Sequence, residues 1–232
     1  MTEQDAQKQR AAERAVAEIH DGMVLGLGSG STVAFVLEAL AARVAAGLRI
    51  VAIPSSEQTA TAARRLGIPL TDFAAHRRID LTLDGADQVV RGTLDLVKGL
   101  GGALLREKMV ALASEAVIVV ADQSKLVETL GGKTRLPVEI TRFGAPVTLD
   151  RLTEIAAAPQ LRRAGHEPFV TDNGNYIADC SLAEIADPAA LDARLRSVFG
   201  VVATGLFVGL ATMAVIGTPS GVELLRPTPV NF

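Results

Sequence analysis

The stretch DLTLDGADQVV, Asp80 to Val90, closes an apolar run on two carboxylates, Asp84 and Asp87, three positions apart. Aspartate is common in polar turns, so the pair alone shapes a loop as readily as it does chemistry. The segment KGLGGALLREK, residues 98–108, tips the balance. Lys98 precedes three glycines among four residues, and a helical pattern follows at once, leaving free backbone donors beside an ammonium group. Glu107 lies on that helix. Its neighbours across the adjacent turns are Ala103, Val110, Ala111 and Ser114, a small and mostly apolar face. An acid there is either at the edge of the stripe or desolvated, as a general base often is.

A third segment, GLGSGST at 26–32, follows a short apolar run and opens a helical one, where backbone N–H groups and the helix dipole favour an anion. It is not a dinucleotide fingerprint, because Ser31 stands where the last glycine of G-x-G-x-x-G belongs. The next strand also ends in Pro-Ser-Ser and carries no ribose-binding acid. Nor is it a Walker loop, since no lysine precedes its Ser and Thr. Ser29, Ser31 and Thr32 offer hydroxyls suited to a terminal phosphate.

The elements that must position these residues alternate between strand and helix. Helical patterns at 5–20, 31–46, 57–66 and 102–116 separate apolar strands at 23–28, 48–54, 79–84 and 116–122. That alternation reads as a parallel α/β sheet, whose ligands bind outside the carboxyl ends of the strands, where Asp84 and Asp87 fall. After Gly131-Gly132 the rhythm changes to a strand at 136–140, a helix at 150–157, a hairpin about Asn173-Gly174, a helix at 188–197 and a strand at 200–207. Strand character returns at 211–225. The reading is a Rossmann-like α/β domain, 1–130 with 208–232, carrying a smaller α+β domain at 131–207.

The composition, 232 residues with 49% hydrophobic and 21% charged, is that of a globular chain. A net charge of −3 without a basic stripe argues against nucleic acid. No apolar run reaches membrane-spanning length. His20, His76 and His166 are isolated and Cys180 is the single cysteine, so neither a metal site nor a cofactor is expected. Cys180 reads as a small buried apolar residue, and Arg106 and Lys108 as solvated helix charges. Ser55, Ser56 and Thr59 either line a pocket or cap a helix. A polar N-terminus without secretory character makes the cytoplasm the default location.

Taken together, GLGSGST, LDGADQV, KGLGGALLREK and ADQSKLVETLG resemble, in order and spacing, the ribose-5-phosphate isomerases of the A type. LPVEI, TDNGNYIADC and GVVATGLF resemble the later segments of that family. The resemblance implies a metal-free isomerase of D-ribose 5-phosphate and D-ribulose 5-phosphate, with a small α+β domain of ferredoxin-like type and a homodimeric or homotetrameric assembly. It implies Glu107 as the catalytic glutamate, with Asp84, Asp87 and Lys98 beside it. Substrate contacts fall on Ser29, Gly30, Ser31 and Thr32, on Gly85 and Ala86, on Gly99, Leu100 and Gly101, and on Lys125. Lys8 matches a family phosphate contact without a tight motif around it. Two departures stand out: Gln88 replaces the usual Glu, removing a charge beside the site, and Leu100 occupies a position that is Gly in many members. Two other classes share the fold: a sugar-phosphate sensor without turnover, and an acyl-CoA transferase whose glutamate is a nucleophile.

Overall fold

The computed structural model describes residues 2–228; Met1 and residues 229–232, the end of the expected C-terminal segment, lie outside it. Its parallel strands are short and aliphatic because both faces of the sheet are covered. Val24–Leu27, Val51–Pro54, Ile79–Asp84, Ser114–Asp122 and Met213–Thr218 lie side by side in the order 2-1-3-4-5, counted along the chain. Gly221–Leu225 pairs antiparallel with Met213–Thr218 and forms the edge, so the expected single run at 211–225 is a hairpin.

Helix α1 (Glu3–Val16) starts on a capping box made by Thr2 and Asp5. With α2 (Ser31–Ala45) it covers one face, where Ala11, Ala15, Val33 and Val36 meet Leu25, Leu27, Leu83, Ile118 and Val215. Ser56 caps α3 (Glu57–Arg65), and Thr59 donates to Gly28 O at 2.8 Å, so the capping role prevails for this serine. The alternate residues Val117, Val119, Ala214 and Ile216 face the other side, beneath Ala111 of α4 (Leu104–Leu112). Helix α4 is shorter than the expected 102–116 because Ser114–Ala116 join the next strand.

Chain order reverses between Val24–Leu27 and Ile79–Asp84, which pair in parallel. In open α/β sheets the crevice beside such a reversal is where ligands bind. Both the 28–32 loop and the Asp84–Asp87 turn leave the sheet there. A small ladder sets the third segment against them: Gln88–Val90 pairs antiparallel with Leu96–Val97, flanked by Leu126–Val127 and Leu206–Phe207. Asp87 N–H donates to Val97 O at 2.8 Å, which places Asp87 beside Lys98.

The second sheet is antiparallel throughout, in the order Ala157–Leu161, Tyr176–Ser181, Leu136–Ile140, Val201–Thr204. Helices α5 (Ala145–Leu152) and α6 (Pro188–Arg196) connect its strands in a split βαβ pattern, consistent with a ferredoxin-like insert. Helix α5 begins earlier than the expected 150–157, on left-handed Gly144 and a proline in the first turn. Edge-strand pairing then takes the alanine-rich run that follows, and Pro159 is tolerated there because the strand is at the edge. The Asn173-Gly174 turn closes, with Gly174 N–H on Thr171 O at 2.9 Å, but no hairpin ladder flanks it. Tyr176–Ser181 pairs instead with Leu136–Ile140, and Glu167–Pro168 with Arg163–Ala164.

Candidate active site

Asp84 is the last residue of its strand, and the 28–29 turn closes over it. A Cβ on Gly28 would stand 1.8 Å from Asp84 Oδ1, so only glycine permits the approach. Oδ1 accepts from the N–H groups of Ser29 at 3.1 Å and Gly85 at 2.7 Å. Oδ2 lies 3.0 Å from Lys98 Nζ, which also donates to Gly85 O at 2.6 Å. Glu107 Oε1 stands 3.3 Å from the same ammonium and accepts from Ser29 Oγ at 2.6 Å. Glu107 Oε2 is buried and has no hydrogen-bond partner among the described residues. Asp84, Lys98 and Glu107 are each only 3% exposed, so the expectation of a desolvated glutamate is met.

One ammonium thus faces two carboxylates in a nearly dry site. Burial pushes the Asp84 carboxyl up to about 7, against the pull of Lys98 and with the push of Glu107. Burial works against the Lys98 charge, but Asp84 and Glu107 outweigh it and hold the lysine above its ordinary value. Burial also raises Asp87, whose Oδ2 accepts from Leu100 N–H at 3.0 Å.

Ser29, Gly30, Ser31, Thr32, Gly85, Ala86, Asp87, Lys98, Gly99, Gly101, Glu107 and Lys125 line one small polar pocket. Helix α2 opens over it with Gly30 at φ 93° and no side-chain cap, so its first-turn N–H groups are left for an anion. Lys8 stands behind the loop, donating to Ser31 Oγ at 3.1 Å. A wider cleft of about 390 Å³ between α3 and α4 gathers no comparable group of acids and base. Its Glu57 is paired with Arg106 at 2.8 Å.

Leu100 and Lys8 are the expected substrate contacts that do not line the pocket; Leu100 is 48% exposed, and its N–H is used on Asp87. The φ of Leu100 is not positive, so the position has no need of glycine. Gln88 also differs from expectation. Its side chain turns away from the pocket onto Gly131, donating to O at 2.9 Å and accepting from N–H at 2.8 Å. Arg106 and Lys108 are not simply solvated: Arg106 also holds Asn173 Oδ1 at 3.0 Å, and Lys108 lies between Asp192 and the Phe207 ring. Cys180 is buried, and burial pushes its thiol up to about 12. Arg162 escaped the sequence reading. It donates to Gly99 O and Leu100 O at 3.0 and 2.9 Å from a segment sixty residues away, and no local signal marks it.

The family model for ribose 5-phosphate isomerase A (phosphoriboisomerase A) matches residues 51–221, most of the chain and all of the segment from the second strand to the edge hairpin. The chain belongs to this family. It is 50% identical to ribose-5-phosphate isomerase A of Gloeobacter violaceus, covering 97% of each chain, and 51% identical to that of Roseiflexus castenholzii, covering 94% of each. Among solved structures, ribose 5-phosphate isomerase from Plasmodium falciparum superposes with a TM-score of 0.92 at 38% identity, over 97% of this chain and 100% of the other. A D-ribose-5-phosphate isomerase in complex with phospho-erythronic acid gives 0.93 at 33% identity, with the same coverage. A shared α/β fold alone would leave the sensor and transferase readings open; family membership over nearly the full length does not. The sheet order matches that of the superposed isomerase structures, and the glycine turns at 29–32, 85–87 and 98–101 form walls of the pocket.

Proposed function

We propose that Glu107 is the base that interconverts D-ribose 5-phosphate and D-ribulose 5-phosphate, the reaction of the family to which the chain belongs. The carrying observation is its carboxylate: Oε1 is fixed by Ser29 and Lys98, Oε2 is buried with no hydrogen-bond partner among the described residues, and Glu107 is one of the residues that line the pocket. Isomerisation removes the proton from C2 of the open-chain aldose, passes through a cis-enediolate, and returns a proton to C1. One base on one face of the substrate serves both transfers, a contribution of about 10²–10⁴-fold.

Charge develops on the carbonyl oxygen as the C2 proton leaves. Lys98 and the N–H of Gly101 are the donors we assign to meet it, the Leu100 N–H being used on Asp87. Asp84, poised near neutrality, and Asp87 carry hydroxyl protons during ring opening and between O1 and O2. Ser29, Ser31 and Thr32 with the α2 N-terminus hold the phosphate, with Lys8 and Lys125 supplying positive charge nearby. We also assign residues 1–130 with 208–232 to a catalytic domain and 131–207 to an inserted one; the separate six-stranded sheet and four-stranded antiparallel sheet support the division, and the pairings of Leu206–Phe207 with Leu96–Val97 and of Glu184–Ile185 with Leu130–Gly131 tie the two parts together. A cytoplasmic homodimer or homotetramer is the state we infer for the molecule. Among the described residues no helix is long and apolar enough to cross a membrane.

Glu107→Gln keeps the size of the side chain but cannot accept the proton at neutral pH. The expected result is a fall in kcat of at least about 10²-fold with KM much less changed. Exchange of the C2 hydrogen of ribose 5-phosphate in deuterated water should stop with it. Wild-type turnover in the variant would move the base to Asp84 or Asp87.

A further inference from the structure

We propose that Arg162 and Asp179, both in the inserted domain, are positioning residues that aim the backbone donors of the 99–101 loop into the active site. The loop has little order of its own. Gly99 and Gly102 take φ of 101° and 87°, and Gly101 has no side chain to pack. Glycine-rich backbone loses the most freedom when it is fixed, so something outside the loop must fix it.

Arg162 does so from the side opposite the pocket. Its Nη1 donates to both Gly99 O and Leu100 O, at 3.0 and 2.9 Å. Asp179, on the central strand Tyr176–Ser181, holds the other edge of the guanidinium, with Nε on Oδ2 at 2.9 Å. The fork is rigid, and each of its partners removes a direction in which it could turn. Phe169 lies 5.9 Å from the guanidinium carbon and also packs against Gly102, where a Cβ would meet its ring at 2.5 Å.

The consequence follows from the planarity of the trans peptide, in which C=O and N–H point in opposite directions. Holding Gly99 O toward Arg162 turns the N–H of Leu100 the other way, and there it meets Asp87 Oδ2 at 3.0 Å. Holding Leu100 O turns the Gly101 N–H to that same side. Gly101 lines the pocket, and no hydrogen-bond acceptor for its N–H is found among the described residues. Arg162 therefore presents an unclaimed donor to the reacting end of the substrate and fixes the carboxylate of Asp87 through the neighbouring peptide. A lysine in its place has a single nitrogen and could not hold both carbonyls while also meeting both oxygens of Asp179, as Nη1 and the Nε/Nη2 edge do together.

The proposal rests on the loop N–H groups acting as oxyanion donors, and its test separates the two ideas. Arg162→Met combined with Asp179→Asn removes the clamp without leaving a buried charge unpaired, and Arg162→Lys keeps the charge in a second variant should the first fail to fold. Losing one positioned donor predicts a fall in kcat of about 10²-fold. Inhibition by phospho-erythronic acid, whose carboxylate resembles the enediolate, should weaken by a similar factor, whereas inhibition by inorganic phosphate, held at α2, should stay within about twofold. A folded variant with wild-type kcat and unchanged inhibition by phospho-erythronic acid overturns the proposal, as does equal weakening of both inhibitors, which would mean general loosening. If the clamp aims the loop but its N–H groups are not oxyanion donors in turnover, phospho-erythronic acid weakens selectively while kcat stays at the wild-type level.

Discussion

Gln88 is 7% exposed and uses both ends of its amide on one residue, donating to Gly131 O and accepting from Gly131 N–H. A carboxylate at this position could accept but not donate, and it would face the Gly131 carbonyl without a proton between them. Gln88→Glu should therefore cost about 1–3 kcal/mol of stability at neutral pH, the penalty for a buried polar group that loses its partner. Because the side chain lies off the pocket wall, kcat should be nearly unchanged. Urea denaturation and steady-state kinetics on the same preparation read both; a loss of kcat with unchanged stability would place the residue in the site after all. The same logic of partners is why we propose Glu107 and not Asp84 as the base. Asp84 Oδ1 is occupied by two N–H groups and Oδ2 by Lys98, while Glu107 keeps one oxygen open.

At the scale of elements, α2 matters most, because it begins without a side-chain cap directly over the pocket. Thr32, in its first turn and 9% exposed, lines that pocket, and we assign its hydroxyl to the phosphate. Thr32→Val keeps the shape and removes the donor, so KM for ribose 5-phosphate should rise roughly tenfold, about the strength of one hydrogen bond to a charged group. Some of the effect should appear in kcat, since the anchored phosphate positions the reacting carbons. Unchanged kinetic constants would place the phosphate elsewhere. The elements around this site were legible in the sequence wherever period and punctuation agreed: Ile79–Asp84 and Leu136–Ile140 fall on the expected residues. The ladder strands Gln88–Val90 and Leu96–Val97 were not legible, being two or three residues long and therefore without a period to detect. Helix α5 was misplaced because the alanines at 156–158 favour helix locally, and sheet pairing overrides that preference. The residues that line the pocket could be read because they sit in four compact segments. Arg162 could not, because its role exists only once the second sheet is folded against the loop.

For the whole molecule, the buried group is a source of pH-dependent stability. Asp84 holds its proton up to about pH 7 when folded, against 3.8 for an ordinary aspartate. Between those values the native state binds a proton that the unfolded chain has released. Stability from this group is therefore complete below the unfolded value and is lost as pH rises through the folded one. Asp87 is raised by burial too and adds to the same slope. Asp5, Asp21, Glu57 and Glu223 are lowered by hydrogen bonds and have the opposite sign, but they are exposed or half-exposed and act below about pH 4.5, where carboxylates ordinarily titrate. The unfolding free energy should accordingly fall between about pH 5 and pH 7.5, a window they leave to the buried pair. Asp84→Asn retains an oxygen for the Ser29 and Gly85 N–H groups but cannot titrate, so its stability should be flatter across that range. Denaturant midpoints taken at half-unit steps for both proteins test this directly. A wild-type midpoint that stays flat from pH 5 to pH 7.5 would show that Lys98 holds Asp84 and Asp87 ionised, and that no proton is waiting on them when the substrate arrives.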